Sequence, residues 1–200
     1  YLMSENLNSP TQQTRLDNET SISSAHLSHQ RAVIQITQQA LLSSNLHQLM
    51  LETIELVRTI LDVDFGEVFQ INAEQTQLTL KAIAGWPAEL QQTLQTVREV
   101  ETGSLYEYVL NNNQPVISSD LIIEQRFKLP EIYRRPMFHS CMCVVIQGKD
   151  MPYGILSVFS SSPRIFSSIE INFIQKIANL LAVIVDRQRF ESSFITPRGE

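Results

Sequence analysis

Between Tyr153 and Phe190 the chain passes from an almost unbroken apolar run to a helical repeat. Tyr153-Gly-Ile-Leu-Ser-Val-Phe-Ser160 is rich in β-branched and aromatic residues, which predicts a strand covered on both faces. Ser161-Ser-Pro-Arg breaks it, because Pro163 has no N–H for a ladder and biases Ser162 away from the helical region. A long helix is predicted next. Ser167 and Glu170 have the spacing of a capping box, and Phe166 and Ile171 that of a hydrophobic staple. Asn172, Gln175, Lys176, Asn179 and Asp186 form one narrow polar stripe, while Leu180 to Val185 has no polar side chain. A helix covering one side of a sheet needs an apolar face of about 100° or somewhat more. This face is wider, which predicts two packing partners: the helix's own sheet and another helix.

Taken in order, residues 1–24 are dominated by Ser, Asn, Gln and Thr, show almost no apolar periodicity, and are expected to form a flexible lead-in. From about Ala25 to Leu42 a helix is predicted, with Leu27, Ile34 and Leu41 on one seam and Val33, Ile36 and Ala40 beside it. Asn45 and Gln48 can cap a second helix, whose face carries Leu46, Leu49, Met50, Thr53, Val57, Ile60 and Leu61. Val63–Ile71 and Gln77–Ala84 read as strands joined by a short hairpin connection. Residues 88–99 are expected to be partly helical, and Gly103–Asn112 to form a short helix. Strands at Pro115–Ser118 and His139–Ile146 follow, separated by an irregular segment from Asp120 to Pro136. A domain over 25–191 and a tail over 192–200 complete the expected organisation. Tight links between strands, with helices at both ends of the sequence, point to an α+β fold with a mainly antiparallel sheet. The terminal helices then cover one face, and a short helix with loops roofs the other.

Composition narrows the partners. The chain has 200 residues, 43% of them hydrophobic, which is ample for one real core. The net charge is −6, and its 15 basic residues form no long run, which argues against nucleic-acid or membrane-surface binding. No stretch reads as a membrane span or a signal peptide. Two cysteines two positions apart make no disulfide framework, so a reduced, cytoplasmic protein is expected.

The residues also resemble a family. Gly154-Ile-Leu-Ser-Val, Ser162-Pro-Arg-Ile-Phe, Glu170 and Ile177-Ala-Asn-Leu-Leu-Ala resemble the end of a GAF domain. Tyr108-Val-Leu, Gln114-Pro-Val, Asp120-Leu and Arg126-Phe fit its middle, so the resemblance spans roughly residues 30–190. It implies a six-stranded antiparallel sheet, end helices that dimerise in parallel, and a small-molecule pocket on the far face. Bilin-carrying members attach the chromophore to a cysteine on the pocket's helical or loop side, often followed by His. Here Cys141 and Cys143 lie inside a strand and neither precedes His. The Asn-Lys, Phe, Asp-Glu signature of cyclic-nucleotide binders is not found. Members that reduce free methionine sulfoxide use several cysteines at the pocket rim, a poor match to two thiols on one strand face.

His139, Cys141 and Cys143 alternate and so share a face. His139 and Cys143 stand roughly 13 Å apart along a strand, too far for ligands about 2.0 to 2.3 Å from one ion. No metal site or cofactor is expected, and both cysteines read as small buried residues. Glu67, within Phe65-Gly-Glu-Val-Phe, is the odd carboxylate, for which a bulge at Gly66 or a solvated edge is the expected explanation, ahead of a ligand contact. If a pocket exists, Phe69, Tyr106, Asp120, Phe127, Cys141, Cys143 and Phe159 are its expected lining, with Asp120 as a polar group on the rim. Leu27, Ile34 and Leu41, with Leu181 and Ile184, are the expected dimer surface. These readings point to a non-enzymatic sensory or regulatory module. It binds an unidentified small molecule or relays a signal through dimer helices to a covalently linked output domain. The alternatives are a ligand-free dimerisation spacer and a free methionine sulfoxide reductase.

Overall fold

The computed structural model describes residues 10–43, 45–91, 96–112 and 114–195. Helices α1 (Pro10–Leu42) and α2 (Leu46–Leu61) lead into strands β1 (Phe65–Ile71) and β2 (Gln77–Ala84). Then come α3 (Ala88–Gln91), β3 (Val97–Glu99), α4 (Leu105–Asn111), β4 (Val116–Ser118), a 3-10 turn (Glu131–Arg134), β5 (Ser140–Gln147), β6 (Pro152–Ser160) and α5 (Ser168–Ile195). The six strands form one antiparallel sheet in the order β3-β2-β1-β6-β5-β4.

The local signals work as their chemistry requires. Asn45 Oδ1 accepts from the Gln48 amide at 3.0 Å. Ser167 Oγ accepts from the Glu170 amide at 3.3 Å while Glu170 Oε2 accepts from the Ser167 amide at 2.7 Å, a closed capping box. Arg164 pairs with Glu170 and donates to the Leu61 and Asp62 carbonyls, fastening the start of α5 to the end of α2.

Two apolar cores sit on opposite faces of the sheet. On one, Val68, Met142, Val144, Leu156 and Val158 meet Leu49, Ile54 and Val57 of α2, Ile174, Ile177, Leu181 and Val185 of α5, and Ala32, Ile36 and Ala40 of α1. At about 1.5 to 3 kcal/mol per large side chain, this layer holds the terminal helices to the sheet. On the other face α4, the 3-10 turn and the neighbouring loops form a roof over Phe69, Ile155, Phe159 and both cysteines.

The wide apolar face of α5 does have two partners, the sheet and α1. His29 stacks on Phe173 with ring centroids 4.2 Å apart, and Arg187 Nη2 donates to the Ala40 carbonyl at 3.0 Å. Both contacts advance along both helices, so α1 and α5 run parallel. This corrects the expected dimer surface. Leu181 and Ile184 are 0% and 5% exposed inside the single chain, whereas Leu27, Ile34 and Leu41 remain 48%, 56% and 70% exposed.

Three segments differ in detail from the expected layout. Helix α1 begins at Pro10, inside the segment expected to be a flexible lead-in, of which residues 1–9 lie outside the described residues. Missing periodicity means that a segment has little to bury; it does not stop Gln, Arg and Glu from entering a helix. Likewise α5 continues to Ile195 into the expected tail, of which 196–200 lie outside the described residues. The segment 88–99 holds one helical turn and then the edge strand β3. Finally, Ser168–Glu191 is long and apolar enough to cross a membrane by length and composition; the sheet and α1 account for that apolarity.

Candidate functional site

Strand β1 lies between β2 and β6, and its alternation turns Phe65, Glu67, Phe69 and Ile71 toward the roof. Glu67 is therefore fully buried, at 0% exposure. Neither expected explanation for it holds. The strand is internal, and the register irregularity falls between Val68 and Phe69, where β2 carries the extra residue Lys81. Gly66 has a packing role instead, since a Cβ there would meet the Ile54 side chain at 2.7 Å. Across the strands Glu67 stands beside Ser157 of β6, which in turn stands beside Cys143 of β5.

The carboxylate is met, directly or through a hydroxyl, by side chains of the 3-10 turn, α4 and the edge strand β3. Tyr133, on the 3-10 turn, places its hydroxyl 2.7 Å from both Glu67 carboxylate oxygens. Arg98, on β3, donates through Nη1 to the Tyr133 hydroxyl at 2.7 Å and to the Tyr106 hydroxyl of α4 at 2.5 Å. The two hydroxyl oxygens lie 2.6 Å apart. A consistent proton order follows. Arg98 donates to both phenol oxygens, Tyr106 donates to Tyr133, and Tyr133 donates to Glu67. Two tyrosines thus bridge a buried carboxyl group and a guanidinium. The guanidinium carbon also lies 4.9 Å from the Phe69 ring centre and 5.3 Å from that of Tyr133.

Burial dominates the protonation of this group. It pushes the Glu67 carboxyl up to about 7, against the opposing pull of Arg98 and the tyrosine hydroxyls. Burial also pushes both phenols well above their ordinary value. For Arg98 burial acts against the charge, but the tyrosine oxygens and Glu67 outweigh it and hold the side chain protonated. The asymmetry has a structural cause: Glu67 is sealed in, whereas Arg98, 9% exposed, reaches a groove at the roof edge. That groove has a volume of about 930 Å³, and its wall includes Ser104, Tyr106, Lys128, Glu131 and Arg134.

The structure brings Phe69, Tyr106, Cys141, Cys143 and Phe159 together beneath the roof. Of these, Tyr106 reaches the groove. Phe127 belongs to the same core but packs against Tyr108, with Arg126 over its ring. Asp120 is corrected as a rim group. Its Oδ1 accepts from the Ile122 amide at 2.9 Å, closing a local turn away from the groove. Both cysteines are free and fully buried; donation of the Cys143 thiol to Cys141, followed by burial, pushes the Cys143 thiol well up. Much of the space under the roof is occupied by aromatic rings, with Tyr133 stacked on Phe159 at 4.6 Å. The buried Trp86 Nε1 has no hydrogen-bond partner among the described residues. Three members of the array lie outside the expected lining: Glu67, Tyr133 and, with no sequence reading at all, Arg98. The alternation in Thr96-Val-Arg-Glu-Val was the signal for its strand, but three residues are too few to stand out.

A family model described as GAF domain matches residues 45–185. Among proteins of curated function none matches the chain in sequence. Among solved structures the fold is similar to the GAF domain of a phosphoenolpyruvate-protein phosphotransferase from Coxiella burnetii. That pair is 19% identical with a TM-score of 0.71, covering 84% of this chain and 98% of the other. It is also similar to a phycoerythrobilin-bound GAF domain from a cyanobacterial phytochrome, at 17% identity and TM-score 0.67, covering 82% and 97%. A third similar fold is the free methionine-R-sulfoxide reductase of Neisseria meningitidis in complex with its substrate, at 13% identity and TM-score 0.67, covering 82% and 91%.

Proposed function

The chain belongs to the GAF domain family, a family of sensory and regulatory modules, and from that premise we propose that it is a non-enzymatic sensor whose ligand enters the roof-edge groove. The observation that carries this reading is the Glu67–Tyr133–Tyr106–Arg98 array, which opens on the groove through Arg98 and Tyr106. A core serving stability alone gains little from a buried carboxyl group and guanidinium, since apolar residues of similar volume are often as stable or more so. A group that meets this array from the groove changes the charge balance of side chains held by β1, β3, α4 and the 3-10 turn together.

The non-enzymatic part rests on the thiols. Both are sealed from solvent, and Cys143 is pushed away from the thiolate form that acts as a nucleophile. Their unpaired state also fits a reducing, cytoplasmic setting. One observation favours a ligand-free spacer instead: the aromatic rings that fill much of the space between sheet and roof.

The relay runs through α1 and α5, whose parallel course lets the chain enter at one end of the domain and leave at the other. Leu27, Ile34 and Leu41 recur at heptad spacing and stay exposed, so a second copy is the proposed occupant of that seam. An output domain linked to the helices would then receive their displacement. Sedimentation tests the relay's premise. The wild-type chain is expected to be a dimer at micromolar concentration, and Ile34→Asp to weaken it at least about tenfold. Ile34 is exposed, so the variant stays folded. A wild-type monomer, or a dimer indifferent to Ile34→Asp, removes the helix seam from the account.

A further inference from the structure

The roof-edge groove has a charge character of its own within an acidic chain. Net charge over the whole sequence is −6, yet Arg98, Lys128, Arg134 and Arg135 all contribute to this one wall, against Glu99, Glu101 and Glu131. The cations differ in how they are held. Lys128 and Arg135 are exposed side chains at the mouth. Arg134 donates from Nε to the Leu129 carbonyl at 3.1 Å, which fixes the direction of its stem. Arg98 is the most constrained. Its guanidinium is backed by the rings of Phe69 and Tyr133, and its Nη1 is committed to the two tyrosine hydroxyls.

Such an arginine is pre-organised, so little side-chain entropy remains to be lost when it meets a ligand. The carboxyl group that shares its tyrosines, Glu67, lies on their far side, and burial drives it toward its neutral form. A planar guanidinium on an aromatic backing, at the floor of a concave site with further cations around it, is a receptor for a planar or tetrahedral oxyanion.

We propose that the groove binds a small organic molecule through an oxyanion, a carboxylate or a phosphate, seated on Arg98 with Arg134 and Lys128 on the wall. This rests on the sensory reading above and gives its ligand a chemical class. The volume of about 930 Å³ leaves room for an organic body beyond the anionic group. The acidic members of the wall, Glu99, Glu101 and Glu131, then select against molecules whose negative charge is spread over the whole body.

Calorimetric titration of the folded chain with three probes tests this: succinate, inorganic phosphate, and a neutral amide such as propionamide. Ionic strength is matched with sodium chloride throughout. Succinate or phosphate is expected to bind saturably, with a dissociation constant below about 10 mM. Arg134→Ala, on an exposed wall position, is expected to weaken binding at least about fivefold, and Lys128→Ala about twofold to fivefold. Arg98→Met is expected to abolish it. Should that variant fail to fold, the two wall variants still decide. Preference for succinate assigns a carboxylate, and preference for phosphate a phosphoryl group. Saturable binding that ignores both wall variants overturns the proposal, as does the absence of saturation by either anion. Tighter binding of the neutral amide overturns the oxyanion class while leaving a small-molecule sensor in place, so the two failures are distinguishable.

Discussion

Alanine at position 154 is expected to leave the chain unable to fold at ordinary temperature. Gly154 lies in β6, opposite Gln70 of β1 on one side and Ile146 of β5 on the other. A Cβ built there would stand 1.7 Å from the Phe69 carbonyl oxygen and 2.7 Å from its carbon. Those atoms belong to the backbone of a central strand, so no rotamer change relieves the clash. The β1–β6 ladder would have to part, carrying Phe69 and Glu67 away from Ile155, Phe159 and the roof. Losses above about 4 kcal/mol arise from few mechanisms, and forcing two central strands apart combines packing and ladder hydrogen bonds in one event. Circular dichroism during urea unfolding reads the outcome. A cooperative Gly154→Ala variant within about 1 kcal/mol of wild type would contradict the register of the sheet.

Glu67→Gln is expected to flatten the pH dependence of stability between pH 4.5 and 7. The Glu67 carboxyl goes from 4.5 to about 7 on folding because burial disfavours its charge. A raised folded value means that the native state binds the proton more tightly than the unfolded chain does. The corresponding stability is present in full below 4.5 and is lost as pH rises through about 7. Its size is on the order of 3 kcal/mol. The groups facing Glu67 are Arg98, Tyr106, Tyr133 and Cys143, of which the arginine stays charged and the others stay neutral throughout this range. Elsewhere, hydrogen bonds from Arg126 hold Glu124 down to about 2, so its contribution is lost at lower pH than this window. Burial lowers His29, which loses its contribution as pH falls below 6.5 in wild type and variant alike. The difference between the two stability profiles therefore isolates Glu67. Wild type should lose ground to the variant as pH rises. Parallel profiles would show that the carboxyl is ionised as easily in the fold as outside it.

The terminal helices, the β1–β2 hairpin and the second packing partner of α5 were legible because each rests on a repeat, a cap or a short turn. Ser167 and Glu170 name their own hydrogen bonds. The site was legible only in part. Phe69, Tyr106, Phe159 and the cysteines share a core because strand alternation aims them there. Glu67 stands out in sequence, but the strand alone suggests only a bulge at Gly66 or a solvated edge, since its partners lie at positions 98, 106 and 133, on elements that no local pattern ties to it. Asp120 illustrates the opposite error. An Asp in a loop beside a sheet suits a rim, and it suits an Asx turn equally well; the geometry chose the turn. Leu181 and Ile184 were assigned to a partner copy because the width of an apolar face does not say which helix covers it, and α1 of the same chain does so.

A native mass spectrum of the protein isolated from its own source without denaturation tests the sensory account most directly, because it reads occupancy and assembly together. The expected result is a dimer, of twice the subunit mass seen on denaturation, that carries a small-molecule adduct. That adduct should be released on acid denaturation and lost in Arg134→Ala. A bare monomer, with the same mass before and after denaturation, would contradict both the ligand site and the helix relay.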